Sequence, residues 1–417
     1  MKFTFLGGAG EVGRSGVLVE TNNKRFMVDY GIKVMDEGPA ELPLVPSKKI
    51  HEIVISHGHL DHIGFLPMLY ENNQVPWYAT PPTGALAELL IEDAMKVQKL
   101  NGFENPYTKE SFIRSLENFY PLEYEEPFQM RSGAELVLHD AGHIIGASMC
   151  EFNIEKRKII YTGDYNFMEN EMHKGAKYDT DIDILITEST YADKEHPPRE
   201  EEIKKMIENI NHAIDRGGCA LVPVFAVGRT QEVMSILINH FSDVPIYIDG
   251  MSVKSTDIYL RFPRFIKNPK KLHDAMHYVK VPKRMYHREK AVRGGSIIVC
   301  PAGMLSGGWA MWYLERLPQN STITITGFCA EGTNGRRLLE KGSIIVEGKE
   351  KEIKFKTIKV DFSAHVGRKE IFDMIKRSTP ELIVCMHGDN CFTFADELRD
   401  MGFEAIAPRL GETIPVK

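Results

Sequence analysis

Short apolar runs rich in β-branched and aromatic residues, bounded by glycine, asparagine or aspartate, punctuate the first part of the chain. They predict strands over residues 3–6, 16–20, 26–29, 53–56, 135–138, 148–154, 158–161 and 182–187. Helical spacing of apolar positions predicts helices over 82–100 and 109–118. Several successive strands are near enough to be closed by short turns, so a simple β–α alternation does not fit and a mixed sheet arrangement does. From about residue 193 the rhythm changes. Helix 199–216, buried strand 219–223, helix 229–241, strand 245–248 and helix 252–262 follow one another. Segments 296–300, 308–316, 322–326 and 334–340 continue the series, which implies a doubly wound α/β unit with parallel strands. Beyond residue 345 come a charged strand at 352–360, a helix at 367–376, a strand at 382–386 and a helix at 390–401.

The composition places these elements in an ordinary globular chain. Of 417 residues, 43% are hydrophobic and 26% charged, too apolar for intrinsic disorder. The longest apolar runs fall well short of the ~18–20 residues that cross a bilayer, and the start has no signal-peptide core. The six cysteines form no C-x-x-C pair and mostly lie in strand-like runs, which reads as reduced core thiols and a cytoplasmic protein. The net charge of −7 excludes a uniformly basic coat protein, but the charge is unevenly divided. Residues 193–345 carry a net +6, and 254–293 alone hold 12 basic against 3 acidic residues. Tyr259, Phe262, Phe265, Tyr278 and Tyr286 are interleaved with them. Cations among aromatics are what a single-stranded polynucleotide requires, and also what a solvated helix face with its aromatics turned into the core would show.

The densest chemistry lies in His57-Gly58-His59-Leu60-Asp61-His62, where four potential metal ligands fall within six residues directly after strand 53–56. In an extended loop His57 and His59 project to one side, because side chains alternate with period two. Asp61 and His62 then face a second position if the chain turns into the helix that 63–70 suggests. Imidazole and carboxylate together suit Zn²⁺ and similar cations. Taken alone, His143 in Asp140-Ala141-Gly142-His143 reads as a loop histidine. Asp164 in Thr162-Gly163-Asp164 and Asp29 after Val28 read as turn aspartates. The glycine-rich 7–13 stretch mimics a dinucleotide loop, but a strand and not a helix follows it.

The H-x-H-x-D-H pattern resembles the signature of the metallo-β-lactamase superfamily, and His143, Asp164 and Asp29 fall in that superfamily's order. Thr187-Glu188-Ser189-Thr190-Tyr191, Asp361-Phe362-Ser363-Ala364-His365 and Met386-His387-Gly388-Asp389 resemble the three motifs of its β-CASP ribonuclease branch. Segments 223–232, 303–308 and 330–336 are similar to further family segments, so the resemblance spans the chain. The histidine at 387 resembles RNA-processing members related to the endonuclease subunit of the cleavage and polyadenylation specificity factor. DNA-repair members would carry valine there. A catalytic domain expected to begin at Met1 matches the short archaeal form, without an N-terminal RNA-binding extension.

The resemblance implies an α/β fold, an αββα metallo-β-lactamase sandwich interrupted by a doubly wound β-CASP domain. Residues 1–192 and 346–417 would form the sandwich and 193–345 the insertion. It further implies two Zn²⁺ per chain: His57, His59 and His143 on one, Asp61, His62 and His387 on the other, with Asp164 bridging. Such a pair arms a bridging hydroxide for in-line attack on a phosphodiester. Asp29 is expected to orient a ligand. His365, oriented or kept protonated by Glu188, is expected to serve as general acid. Ser363 and Arg336 would hold phosphate oxygens, and Lys254 and Arg264 belong to the basic stretch that would grip the strand.

The expected activity is ribonuclease, internal, 5′-to-3′ or both, leaving 5′-phosphate and 3′-hydroxyl ends. The expected partners are single-stranded RNA, a second copy in a homodimer, and other RNA-processing or decay proteins. Two rivals remain: a small-molecule metallohydrolase, and a non-catalytic RNA-binding scaffold whose mark would be lost metal ligands. Every ligand position is filled here.

Overall fold

The apolar runs pair into two seven-stranded sheets in the computed structural model, which describes residues 1–416 apart from 22–23, 36–37 and 179. One sheet is ordered Thr413–Pro415, Lys2–Gly7, Gly16–Thr21, Lys24–Val28, Glu52–Val54, Trp77–Ala79, Phe119–Pro121. The other runs Ala405–Ile406, Leu382–Met386, Ile184–Glu188, Arg157–Tyr161, Ser148–Ile154, Glu135–Asp140, Phe128–Gln129. Alternation decides what lies between them. Phe3, Phe5, Val17, Val19, Phe26 and Val28 share a core with Leu136, Phe152, Ile159, Tyr161 and Ile186 of the second sheet. Leu18, Met27 and Ile53 point the other way, onto Ala87 and Ile91 of helix Pro81–Leu100 and Phe112 of helix Lys109–Glu117. Helix Cys391–Asp400 packs on Leu382–Met386 and Ala405–Ile406, completing an αββα sandwich. Strands covered on both faces read as continuous apolar runs, which is why they were visible in the sequence.

This sandwich is one compact unit, made of Met1–Glu169, His173–Glu195 and Ala364–Lys417. The second unit takes Asn170–Met172 and His196–Ser363. Its sheet has five parallel strands ordered Ile246–Ile248, Ser296–Cys300, Cys219–Pro223, Thr322–Ile325, Lys356–Lys359. Helices connect successive strands, as in a doubly wound fold.

Three details differ from the sequence reading. The second unit ends at Ser363 and not at 345, because Lys356–Lys359 joins its sheet beside Thr322–Ile325. The charged strand expected over 352–360 is two strands, since Lys349–Glu352 folds back antiparallel on Ser343–Val346. Glu347 and Gly348, at φ 50° and 74°, make the left-handed two-residue turn that suits a hairpin. The helix suggested at 63–70 is an α-turn over Leu60–Ile63 followed by a 3₁₀ helix over Leu66–Tyr70, with Pro67 at its start lacking an N–H to continue the first. All six cysteines are free and buried. Among the described residues no helix is long and apolar enough to cross a membrane.

Candidate metal centre

The seven expected ligands all belong to the first unit, five at strand ends or loops and two in a short helix. His57 follows Glu52–Val54, and the chain then turns at once into the short helix, which places Asp61 and His62 in its single turn and His59 at its N-cap. His143 comes from the loop between Glu135–Asp140 and Ser148–Ile154, Asp164 follows Arg157–Tyr161, and His387 follows Leu382–Met386. Gly31 lets the first loops close up, since a methyl group there would lie 1.8 Å from the Asp61 carbonyl oxygen.

These side chains converge on Asp164. Its Oδ2 lies 3.5 Å from His57 Nε2 and 3.7 Å from His143 Nε2, whose ring nitrogen is 3.1 Å from His59 Nδ1. Its Oδ1 lies 3.3 Å from His62 Nε2 and 3.6 Å from His387 Nε2, while Asp61 Oδ2 is 3.6 Å from His387 Nε2. Each group of four, His57–His59–His143–Asp164 and Asp61–His62–Asp164–His387, offers ligand atoms within 4.8 Å of one another. His57 Nε2, His62 Nε2, His387 Nε2 and Asp164 Oδ1 are buried without a hydrogen-bond partner. Buried polar atoms are ordinarily satisfied, so four orphans aimed at one point fit cations held among them.

The electrostatics of the first group agree with that fit. Burial, reinforced by neighbouring imidazoles, pushes His57 and His143 well below the ordinary histidine value, and burial also lowers His59. Neutral imidazole is the form that ligates. Burial opposes charge on His62 too, but Asp164, Asp29 and Asp61 overcome it and hold that ring well above its ordinary value. Burial likewise works against the Asp164 carboxylate, yet the surrounding histidines keep it well below the usual range.

A second layer fixes the rings. His62 Nδ1 donates to Asp29 Oδ2 at 2.7 Å, and Asp29 also accepts from Ser56 N, Ser56 Oγ and Tyr161 OH at 2.7–2.8 Å. His387 Nδ1 is hydrogen-bonded to Ser15 Oγ at 2.7 Å, and His143 Nδ1 donates to the Ala364 carbonyl at 2.8 Å. Asp29 and His387 both have left-handed backbones, at φ 58° and 49°. That strain, about 1 kcal/mol or more each, is typical of sites whose geometry is imposed by the surroundings.

Beside this centre, His365 Nδ1 meets Glu188 Oε2 at 2.9 Å and lies 3.9 Å from Asp164 Oδ2. Burial would lower its pKa, but Glu188 and Asp164 raise it to about 9. The other Glu188 oxygen accepts from Tyr165 N at 2.9 Å.

Family models match the chain in three stretches: a metallo-beta-lactamase superfamily domain over residues 18–190, a Beta-Casp domain over 230–338 and a Zn-dependent metallo-hydrolase RNA specificity domain over 350–408. "Probable RNase MJ4" of Methanocaldococcus jannaschii is 34% identical over the full length of both chains. The chain belongs to the β-CASP family of the metallo-β-lactamase superfamily. "RNase aCSPSF2" of Saccharolobus solfataricus is also 34% identical, covering 98% of this chain and 84% of that protein. "Transcription termination factor FttA" of M. jannaschii is 33% identical, covering 96% and 69%. A crystal structure of an Enterococcus faecalis protein of unknown function shares the fold, with a TM-score of 0.63 at 14% identity over 99% of each chain.

Within this β-CASP protein, the expected substrate-binding residues Ser363, Arg336, Lys254 and Arg264 belong to the second unit. Lys254, Arg264 and Arg336 are exposed, the last paired with Glu340. Ser363 N donates to Asp361 Oδ1 at 3.0 Å. The interleaved aromatics split: Tyr259 and Phe265 are core residues, whereas Tyr278 and Tyr286 are exposed. Ser15, Ser56, Tyr161 and the Ala364 carbonyl were not anticipated. Ser56 adjoins the histidine motif and Ala364 lies within the Asp361–His365 motif, but nothing in the sequence distinguishes Ser15 or Tyr161.

Proposed function

We propose that this protein is a metal-dependent ribonuclease that hydrolyses RNA phosphodiester bonds using two zinc ions per chain. The observation that carries the reading is the convergence of six side chains on the two oxygens of Asp164, with four buried atoms left for cations to satisfy. An all-histidine-and-carboxylate donor set suits zinc. When bound, such a pair of cations supplies a water-derived nucleophile at neutral pH and offsets phosphate charge.

The chain's own residues do the remainder. Asp164 would give one oxygen to each group of ligands, and with Asp61 it limits the charge of the centre while leaving an attraction for a phosphodiester. Asp29 and Ser15 hold His62 and His387 in the orientation ligation needs. His365 keeps its Nδ1 against Glu188, so Nε2 would carry the proton to the departing 3′-oxygen. The two ribonuclease names among the relatives, the RNA specificity model over 350–408 and the exposed cations of 254–293 support RNA as the substrate. Ser363, Arg336, Lys254 and Arg264 would contact its backbone.

The test combines elemental analysis of the purified protein with cleavage of 5′-labelled and internally labelled RNA bearing 5′-triphosphate or 5′-monophosphate ends. Two zinc per chain and products with 5′-phosphate ends are expected, and their lengths separate internal from 5′-to-3′ cutting. Less than one metal per chain with RNA still bound would instead mark a scaffold. Ester hydrolysis without RNA cleavage would mark a small-molecule hydrolase.

A further inference from the structure

The carboxyl edge of the second unit's parallel sheet carries two aromatic rings that the fold leaves in solvent. Phe225, 42% exposed, follows strand Cys219–Pro223, and Phe328, 50% exposed, follows Thr322–Ile325. These strands are neighbours, paired Leu221 to Ile323. The chain builds the sheet on one side of Cys219–Pro223 first and then crosses to the other, so the reversal of strand order falls between them. In doubly wound sheets the crevice outside that reversal is where ligands bind.

The loops bearing the two rings are fixed in place. Thr230 donates from its N at 3.2 Å and its Oγ1 at 3.0 Å to the Phe225 carbonyl. Gly303 packs so closely that a methyl group on it would stand 3.2 Å from Phe225 N. A methyl group at Gly327 would stand 4.0 Å from Phe225 Cε2, so the Phe225 ring reaches the loop that carries Phe328. Exposed cations flank the pair. Lys359 pairs with Ile325, three residues before Phe328, and a methyl group on Gly335, the neighbour of Arg336, would stand 2.7 Å from Cys329 Sγ, next after Phe328. A single exposed phenylalanine is unremarkable on a protein surface. Two on adjacent strand ends, on braced loops beside cations, form what unpaired bases and their phosphates require.

We propose that Phe225 and Phe328 stack unpaired bases of an RNA strand whose phosphates lie against Arg336 and Lys359. The inference rests on the ribonuclease reading and adds where bases are held. It is tested with Phe225→Leu, Phe328→Leu and the double variant, which keep apolar bulk and remove the π face. All are made in the full chain carrying Asp61→Ala, so that the strand stays intact. Binding is measured for a short single-stranded RNA and an abasic strand of equal length across a salt series, with 2-aminopurine in the RNA reporting stacking. Each leucine variant is expected to weaken RNA binding about fivefold or more with an unchanged salt slope, and to relieve the 2-aminopurine quench. Abasic strands should bind parent and variants alike. Unchanged RNA affinity in the double variant overturns the proposal, as does equal weakening for abasic strands. A changed oligomeric state with RNA binding intact also overturns it, and assigns the rings to a protein surface. If the parent protein binds no RNA at all, the ribonuclease reading fails first and separately.

Discussion

The two units use charged side chains in opposite ways. In the sandwich, Asp164 and its histidines are almost wholly withdrawn from solvent, and His62, His143 and His387 each have their second nitrogen hydrogen-bonded. In the second unit, Lys254, Arg261, Lys270, Lys280, Lys283, Arg284, Lys290 and Arg293 stand in solvent on the surface. Exceptions there are Arg288, pinned by Asp249 at 2.7 and 2.8 Å and stacked on Trp309 at 3.6 Å, and Arg199 and Arg229, both held by Glu232. The contrast separates two demands. Stabilising a developing charge needs groups aimed in advance and kept dry, whereas gripping a backbone of variable sequence needs mobile, hydrated cations.

Substitutions can break this contrast at either end. Asp61→Ala or His62→Ala should reduce cleavage to assay background while RNA binding survives, checked by product analysis beside filter binding; full activity in either variant refutes the ligand assignment. His365→Ala should slow cleavage by about 10²–10⁴-fold with zinc content unchanged, as for loss of a proton donor. Zinc loss in that variant, seen by elemental analysis, would make His365 a ligand instead. Asp29→Asn and Ser15→Ala should each weaken metal affinity by about 10–100-fold, read by chelator competition, because they orient His62 and His387. Equal affinity would mean those hydrogen bonds are ornamental. The smallest effect belongs to the second unit. Replacing Lys267, Lys270 or Lys271 by Glu should weaken RNA binding modestly and flatten its salt dependence by about 0.7 log units per decade for each phosphate no longer neutralised. An unchanged slope would remove that stretch from the RNA track.

The same contrast governs what could be read from the chain. His57 to His62 announce themselves because four donors crowd into six residues, and the sandwich strands because both their faces are buried. Ser15 and Tyr161 are ordinary residues until the fold brings them against His387 and Asp29, so no local signal marks them. Helices Pro269–Tyr278 and Met285–Ala291 were hidden inside the basic stretch, because only Leu272, Ala275 and Ala291 of them are buried and no apolar period stands out. The hairpin at Ser343–Val346 and Lys349–Glu352 turns on a single Glu-Gly pair, and its second strand is wholly charged, with no apolar alternation to mark it.

The order of the ligands along the chain has a consequence for biosynthesis. Six of the seven, from His57 to Asp164, leave the ribosome before the second unit is made, and the seventh, His387, only after it. The edge strand Thr413–Pro415 arrives later still, to close on Lys2–Gly7. A growing polypeptide therefore contains all four residues of the first proposed ligand group well before it contains the last donor of the second. The full set of proposed donors exists only once the intervening domain has been made.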